Sequence, residues 1–318
     1  MKRVILLTVA LVFFVLPAQA DQKTRLSVVT GGTGGVYYPL GGAIANVLSK
    51  YIPDTVVTAE VTSASIDNLK LVGAGKGDIA FTMADTAWDG YNGTGKFQGK
   101  IPLRAIVVLY PNKTQVVTVQ GKGIEKMSDL KGKRISTGAP GSGTELIALR
   151  LLEAYGIDTE KDVKREKLSV AESVGALKDN KIDAFIWSGG LPTAAVTDLA
   201  ATPGHKIKLL DHSDAVPAMV KKHGPLYVKD TIPAKTYPGQ DKEVSILSVW
   251  NILAVNEKMD GKLAYEITKT IFEKKAEIVA VHKEAQNIML ETQIRGGSPI
   301  PFHTGALKYF SEKGLKGR

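Results

Sequence analysis

The feature that most constrains this chain is a unit that occurs twice: a short strand, a glycine-rich loop and a helix that starts directly from the loop. Leu26-Ser27-Val28-Val29 reads as a strand and Thr30-Gly31-Gly32-Thr33-Gly34-Gly35 follows it. Val36 to Lys50 then carries Val36, Leu40, Ile44, Val47 and Leu48 on one helical face. Further on, Arg134-Ile135-Ser136 reads as a strand, and Thr137-Gly138-Ala139-Pro140-Gly141-Ser142-Gly143-Thr144 is the loop. Thr144 to Tyr155 is the helix, stopped by Gly156. In parallel α/β sheets ligands bind beyond the carboxyl ends of the strands. A helix that starts there points unpaired N–H groups and a partial positive charge outward. Glycines let the backbone approach a ligand, and Thr or Ser adds hydroxyl donors.

The segments around the two loops repeat as well. Val56 to Val61 alternates as a strand, Ile66, Leu69 and Val72 mark a short helix, and Asp78 to Thr82 is a strand. In the second half, Ser169 and Glu172 form a capping box ahead of Val170, Val174 and Leu177, and Lys181 to Ile186 is a strand. The expected fold class is therefore α/β with two similar lobes and a cleft between them. Leu103 to Leu109 and Gln115 to Val119 read as two extended runs separated by Pro111-Asn112. Gly224 to Gln240 reads as irregular connection, and Val244 to Val255 as a long strand returning to the first lobe. Leu263, Ile267 and Ile271 place a helix on that lobe, and the segment with Pro299 and Pro301 reads as a closing strap. The expected division is a signal peptide at 1–20, first lobe at 21–116, second lobe at 117–243, and a return to the first lobe with the strap at 244–318. Two crossings make a hinge suited to closing one cleft.

The compartment is read from the first residues. Lys2 and Arg3 precede an apolar run from Val4 to Leu16, then Pro17 and Ala18-Gln19-Ala20. The run of about 13 residues is short of the roughly 20 that a membrane helix needs, so cleavage after Ala20 and release into the periplasm are expected. The chain has no cysteine, which excludes an N-terminal lipid-modified Cys, disulfides, thiolate metal sites and Cys nucleophiles. The formal net charge is +9 without a block of like charges or a basic stripe with interleaved aromatics, so nucleic acid is not an expected partner. No His pair at helical spacing and no calcium-loop pattern occurs, and neither metal nor cofactor is expected. The glycine loops are not nucleotide fingerprints: after Gly32 and Gly34 the spacing demands glycine where Tyr37 stands.

The candidate ligand-binding residues are Thr33, Gly34, Gly35 and Tyr37 in the first loop and helix, and Ser142, Gly143 and Thr144 in the second. Lobe symmetry adds Asp85 and Thr86 beyond one strand end, and Trp187, Ser188 and Gly189 at the equivalent place. Asp85 either starts a helix or accepts from a ligand amine. Trp187 is either core or an apolar wall. Either loop alone could be a tight turn, and their recurrence at matching places is what favours a ligand site.

At these residues the chain resembles the TAXI family of TRAP-transporter receptors. The matching pieces are Thr30-Gly-Gly-Thr-Gly-Gly-Val-Tyr-Tyr-Pro39, Ser65-Ile-Asp-Asn-Leu69, Asp129-Leu-Lys-Gly-Lys133, Gly138-Ala-Pro-Gly-Ser-Gly-Thr-Glu145 and Lys181-Ile-Asp-Ala-Phe185. Gly190-Leu-Pro192, Ile232-Pro-Ala-Lys-Thr-Tyr-Pro-Gly239 and Pro299-Ile-Pro301 complete the set. The resemblance implies a type 2 periplasmic-binding-protein fold and a small anionic or zwitterionic solute, carboxylate or amino-acid-like, held between the lobes. It also implies a TRAP membrane permease as partner, driven by an ion gradient, and a monomeric, non-enzymatic receptor. Met83-Ala84-Asp85 departs from the Gln-Ser-Asp common in that family, which suits a ligand with a more apolar portion.

Two other functions fit parts of the pattern. A secreted hydrolase would use Ser142, but no Gly-x-Ser-x-Gly elbow is present and none of the five histidines completes a motif. A receptor that presents its ligand to a signalling kinase would share the same fold. Arg104, Arg134, Arg150 and Arg295 reach the cleft only if folding brings them there.

Overall fold

The computed structural model describes residues 23–294 and 298–315. The signal-peptide segment and Arg295 lie outside the described residues. The first unit runs β1 (Thr24–Val29), α1 (Tyr37–Tyr51), β2 (Thr55–Glu60), α2 (Ser65–Gly73), β3 (Ile79–Met83) and α3 (Ala84–Asn92). A long strand, β4 (Leu103–Val119), leads to the second unit. That unit repeats the order as β5 (Arg134–Ser136), α4 (Gly143–Ala154), β6 (Lys164–Glu166), α5 (Val170–Lys178), β7 (Ala184–Gly189) and α6 (Ala194–Ala201). There follow β8 (Ile207–Leu209), α7 (Val216–His223), β9 (Val228–Ile232) and the second long strand β10 (Val244–Asn256). The chain ends with α8 (Gly261–Glu273), α9 (Lys275–Val281), α10 (Glu291–Ile294) and α11 (Thr304–Glu312).

Pairing reproduces the repeat. β1 lies parallel between β2 and β3, and β5 lies parallel between β6 and β7. The two parallel triplets are joined through the long strands in the order β2-β1-β3-β10-β4-β7-β5-β6. β10 pairs with β3 through Asn251–Val255 and with β9 through Val244–Ser248, while β4 pairs with β7 through Lys113–Thr118. Both long strands therefore change neighbours near Tyr110–Lys113 and Ser248–Asn251, where the chain passes from one lobe to the other.

Two expectations are corrected here. The extended runs on either side of Pro111-Asn112 are one strand of 17 residues. Proline lacks an N–H for the ladder, and the register with β10 slips between Trp250 and Ile252, opposite Pro111. Such a bulge is where a strand accommodates proline. The segment Gly224 to Gln240 contains β9, whose side chains Val228 and Lys229 are exposed, in keeping with an edge strand. The segment with Pro299 and Pro301 lies along β4: Ala105 N–H donates to Pro301 O at 2.9 Å and His303 N–H to Ala105 O at 2.8 Å.

Each lobe has its own core. Val28, Phe81, Leu40, Ile44 and Leu48 meet Ile267, Ile271 and Phe310 of the returning segment in the first. In the second, Ile135, Ile147, Leu151 and Ile186 pack on one sheet face and Val174, Leu177, Phe185 and Val196 on the other. Each such side chain contributes about 1.5–3 kcal/mol by leaving water. Burial is thus concentrated within the lobes, while hydrogen bonds and close packing meet at the cleft.

Candidate functional site

A cavity of about 340 Å³ lies between the lobes at the carboxyl ends of the parallel strands. Helix N-termini from both lobes meet at it. α1 opens from Gly35-Val36 with no side-chain cap, and its third residue is Pro39, which has no N–H. α4 opens from Ser142, whose Oγ accepts from Glu145 N–H, the third residue, at 3.0 Å. α5 opens from Ser169, whose Oγ accepts from the third residue, Glu172, at 3.3 Å. In all three the third position is settled locally, leaving the first two N–H groups to point along the helix axis. A fourth helix start, α2, is used differently. Ile66 and Asp67 N–H donate across the cleft to Gly141 O at 3.1 and 3.2 Å.

A reciprocal contact holds the other glycine loop, where Ala195 N–H at the start of α6 donates to Gly34 O at 3.3 Å. The lobes therefore touch, and the glycines are where they touch most closely. A Cβ on Gly143 would stand 2.4 Å from Met83 Cε and 2.7 Å from Ser65 Oγ. A Cβ on Gly35 would stand 3.0 Å from the Trp187 indole. Gly141 has φ +80° and lies against the Asp67 carboxylate, so both its conformation and its space require glycine. On the rim of the cavity Ala64 has φ +85° and ψ −146°, a region that side chains rarely adopt.

Thr33, Gly34, Gly35, Tyr37, Ser142, Gly143, Thr144, Trp187, Ser188 and Gly189 all line the cavity. Trp187 is a wall, with its indole N–H donating to Thr193 Oγ1 at 3.0 Å. Tyr37 is buried and its hydroxyl is bonded to Asn251 Oδ1. Burial is the main cause that pushes its phenol well above the usual tyrosine range, so it stays protonated. Asp85 and Thr86 are not brought to the cavity. Asp85 lies in the first turn of α3, fully buried, where it accepts from Tyr227 Oη at 2.9 Å and faces Arg150 at 3.5 Å. Thr86 donates its N–H to the Asp85 carboxylate at 2.7 Å. The equivalence of these positions with Trp187 fails because a charge from α4 captures the acid.

Met83 lines the cavity, whereas Ala84 faces a separate groove with Trp88, Arg150 and Trp250. The three arginines among the described residues that were weighed for the cleft are engaged elsewhere. Arg104 pairs with Glu257, Arg134 with Asp183, and Arg150 with Asp89 and Asp85. Arg165 braces the second loop from behind, 2.5 Å from Glu145 and 2.9 Å from Thr137 Oγ1, without lining the cavity. Among the described residues the lining contains no Lys or Arg, and its single charged side chain is Glu172. That carboxylate accepts from Ser169 N–H at 2.8 Å, and these Ser169 contacts hold its pKa below the usual range.

Several lining residues escaped the sequence reading. Val61 to Ser65 form one wall, Ser169 to Glu172 another, and Tyr110 and Asn112 come from the crossing strand. Ser169 was legible as a helix start, but not as a cleft residue. Ser142 Oγ donates to Ala139 O at 2.7 Å besides capping α4. No histidine lines the cavity among the described residues.

Solved structures share this architecture at low identity. One described as Tv2483 bound to L-arginine matches with a TM-score of 0.51 at 14% identity, covering 84% of this chain and 91% of its own. An ancestral arginine-binding protein bound to arginine matches with a TM-score of 0.50 at 16% identity, covering 83% and 98%. These likenesses show the two-lobed binding-protein fold. A family model matches residues 28–314, nearly all of the described structure, and the chain belongs to the NMT1-like family.

Proposed function

We propose that this protein is an extracytoplasmic receptor that captures a small organic anion between its lobes and delivers it to a membrane permease. The observation that carries the reading is the convergence of α1, α4 and α5 N-termini, from both lobes, on one cavity. Each offers N–H donors and a partial positive charge, worth about 0.3–1 kcal/mol per terminus at exposed sites and more where partly buried. Because the donors belong to both lobes, an anion that meets them all favours the closed arrangement. Thr33, Gly34, Gly35, Tyr37, Ser142, Gly143, Thr144, Trp187, Ser188 and Gly189 form this ligand site. The lobes are divided as 21–116, 117–243 and 244–318, with bending at the residues where β4 and β10 change partners.

The permease is a TRAP-type partner in this reading, supported by the run of motifs from Thr30-Gly-Gly-Thr-Gly-Gly to Pro299-Ile-Pro301. The receptor works as a monomer in the periplasm after cleavage behind Ala20. Amino-terminal sequencing of the exported protein is expected to begin at Asp21. Uptake by membrane vesicles carrying receptor and permease is expected to require an ion gradient and to persist without ATP. Saturable binding of organic anions, read by calorimetry and by a rise in Tm, tests the capture step itself. Hydrolysis at Ser142 is disfavoured because its hydroxyl is held in a helix cap and no imidazole adjoins it.

A further inference from the structure

Gly143, Leu146 and Arg150 follow one another on α4 at i, i+3 and i+7, so they share one face of the helix. That face looks to the first lobe along its whole length. A Cβ on Gly143 would meet Met83 and Ser65, Leu146 packs in the cluster of Ile66, Leu69 and Ala87, and Arg150 reaches α3. In return Met83 and Ala84 pack in the cluster of Ile147, Leu151 and Tyr227. Arg150 stands seven residues beyond Gly143, about 10 Å along the axis at 1.5 Å per residue, and does not line the cavity. It lies in the separate groove with Trp250, whose neighbour Asn251 points to the other face of β10 and bonds Tyr37.

What Arg150 meets on α3 is a pair of acids. Asp85 and Asp89 are four residues apart, one helical turn, so their like charges repel. Asp85 is 0% exposed and Asp89 6%. Among the described residues, the only donors to these carboxylates from their own lobe are Thr86 to Asp85 and Thr94 to Asp89. The cation comes from the second lobe: Arg150 Nη2 lies 2.5 Å from Asp89 and Nη1 3.5 Å from Asp85. Tyr227, also of the second lobe, accepts from Arg150 Nη1 at 2.8 Å and donates to Asp85 at 2.9 Å. Burial pushes the Asp85 carboxyl up, and the strongest influence opposing it is Arg150. Docking α4 on α3 therefore neutralises a like-charged pair that the first lobe by itself leaves without a cation.

We infer that Arg150 is a positioning residue for solute capture: held by Asp85 and Asp89 of the opposite lobe, it seats the N-terminus of α4 against the first lobe and sets affinity without touching the solute. This deepens the capture reading above and rests on it. A group remote from the cavity cannot tell one solute from another, so its loss weakens every solute by the same factor. A change in a lining residue alters one solute relative to the next.

The test is calorimetry on the full mature chain with lactate, glutarate, glutamate and ethanesulfonate as probes. Asp89→Asn keeps the shape of the side chain and is expected to lower affinity about tenfold for each probe that binds, leaving their ratios unchanged. Arg150→Gln is expected to lose more, and Arg150→Lys, which keeps the charge without the two-pronged geometry, to restore part of that loss. In the Arg150→Gln chain, adding Asp89→Asn is expected to cost little further affinity, a coupling that a contact unrelated to binding would not show. Arg134→Gln is the control, because it breaks an ion pair with Asp183 inside the second lobe, and its affinity is expected to match the wild type. If Arg150→Gln does not fold, Arg150→Lys replaces it in the cycle. Wild-type affinity in folded Asp89→Asn overturns the inference while capture stands. So does a loss that changes the ratios between probes, or an equal loss in the control. If no probe binds the wild type, capture of small anions itself fails, and the inference with it.

Discussion

The loop Thr30–Gly35 opens α1 without a side-chain cap and with Pro39 at the third helical position, while the loop ending at Ser142 opens α4 with a serine cap on Glu145. Both arrangements leave the first two N–H groups of the helix for a ligand, one by removing the third donor and one by satisfying it. Their surroundings differ more. The second loop is braced within its own lobe by Arg165, which pairs with Glu145 and donates to Thr137. The first loop has no such ion pair; Asn68 Nδ2 donates to Thr30 O at 2.6 Å within its own lobe, and its glycine end meets the opposite lobe, at Trp187 against Gly35 and Ala195 N–H on Gly34 O. Both loops thus meet the opposite lobe on closure, and only the second is also held by an ion pair within its own lobe. In the proposed capture, binding is weak in an open arrangement and reaches full affinity only as the lobes meet.

The comparison can be broken first at the lobe contact. Gly143→Ala places a methyl group where Met83 Cε and Ser65 Oγ already lie, at 2.4 and 2.7 Å, so closure is blocked while each lobe still folds. Calorimetry with a binding anion is expected to show affinity lower by about a hundredfold, near 3 kcal/mol. Next is the brace. Arg165→Met strands the Glu145 carboxylate and is expected to lower stability in urea by about 2 kcal/mol, with the loss assigned to the second lobe by hydrogen exchange.

Gly35→Ala is milder, because its Cβ meets the edge of a single indole at 3.0 Å. About a tenfold loss of affinity is expected, and Trp187→Leu in the same chain should restore part of it, as a double-mutant cycle would report. Ser142→Ala removes the cap on Glu145 N–H together with the bond to Ala139 O and is expected to cost about 1 kcal/mol in stability. The corresponding change in the first helix, Pro39→Ala, has no cap to lose; a cost as large as that of Ser142→Ala would contradict the distinction between the two helix starts.

Much of this was legible because glycine clusters and helical periodicity leave a local signature. α1 follows from the spacing of Val36, Leu40, Ile44, Val47 and Leu48, α4 from its glycine-rich start and its stop at Gly156, and the repeat order from their recurrence. The misreadings share one physical cause, which is contact at long sequence separation. Asp85 matched Trp187 by position along a strand, but Arg150, on a helix of the other lobe, drew it away from the cleft. Tyr110 and Asn112 were hidden because Pro111 looks like the end of a strand when the bulge beside it in β4 is unseen. The strand β9 was missed because Val228-Lys-Asp-Thr-Ile232 has an edge strand's charges and only a partner to reveal it.

The central claim, that the two helix-opening loops close on an anion, has a direct readout. The chain has no cysteine, so Lys76→Cys in the first lobe and Lys161→Cys in the second, both exposed, can be labelled for single-molecule energy transfer without side reactions. Titration with an organic anion that binds saturably is expected to shift the population from a longer to a shorter distance, and Gly143→Ala is expected to hold it at the longer one. A distance distribution unchanged by a saturating bound anion would contradict the account.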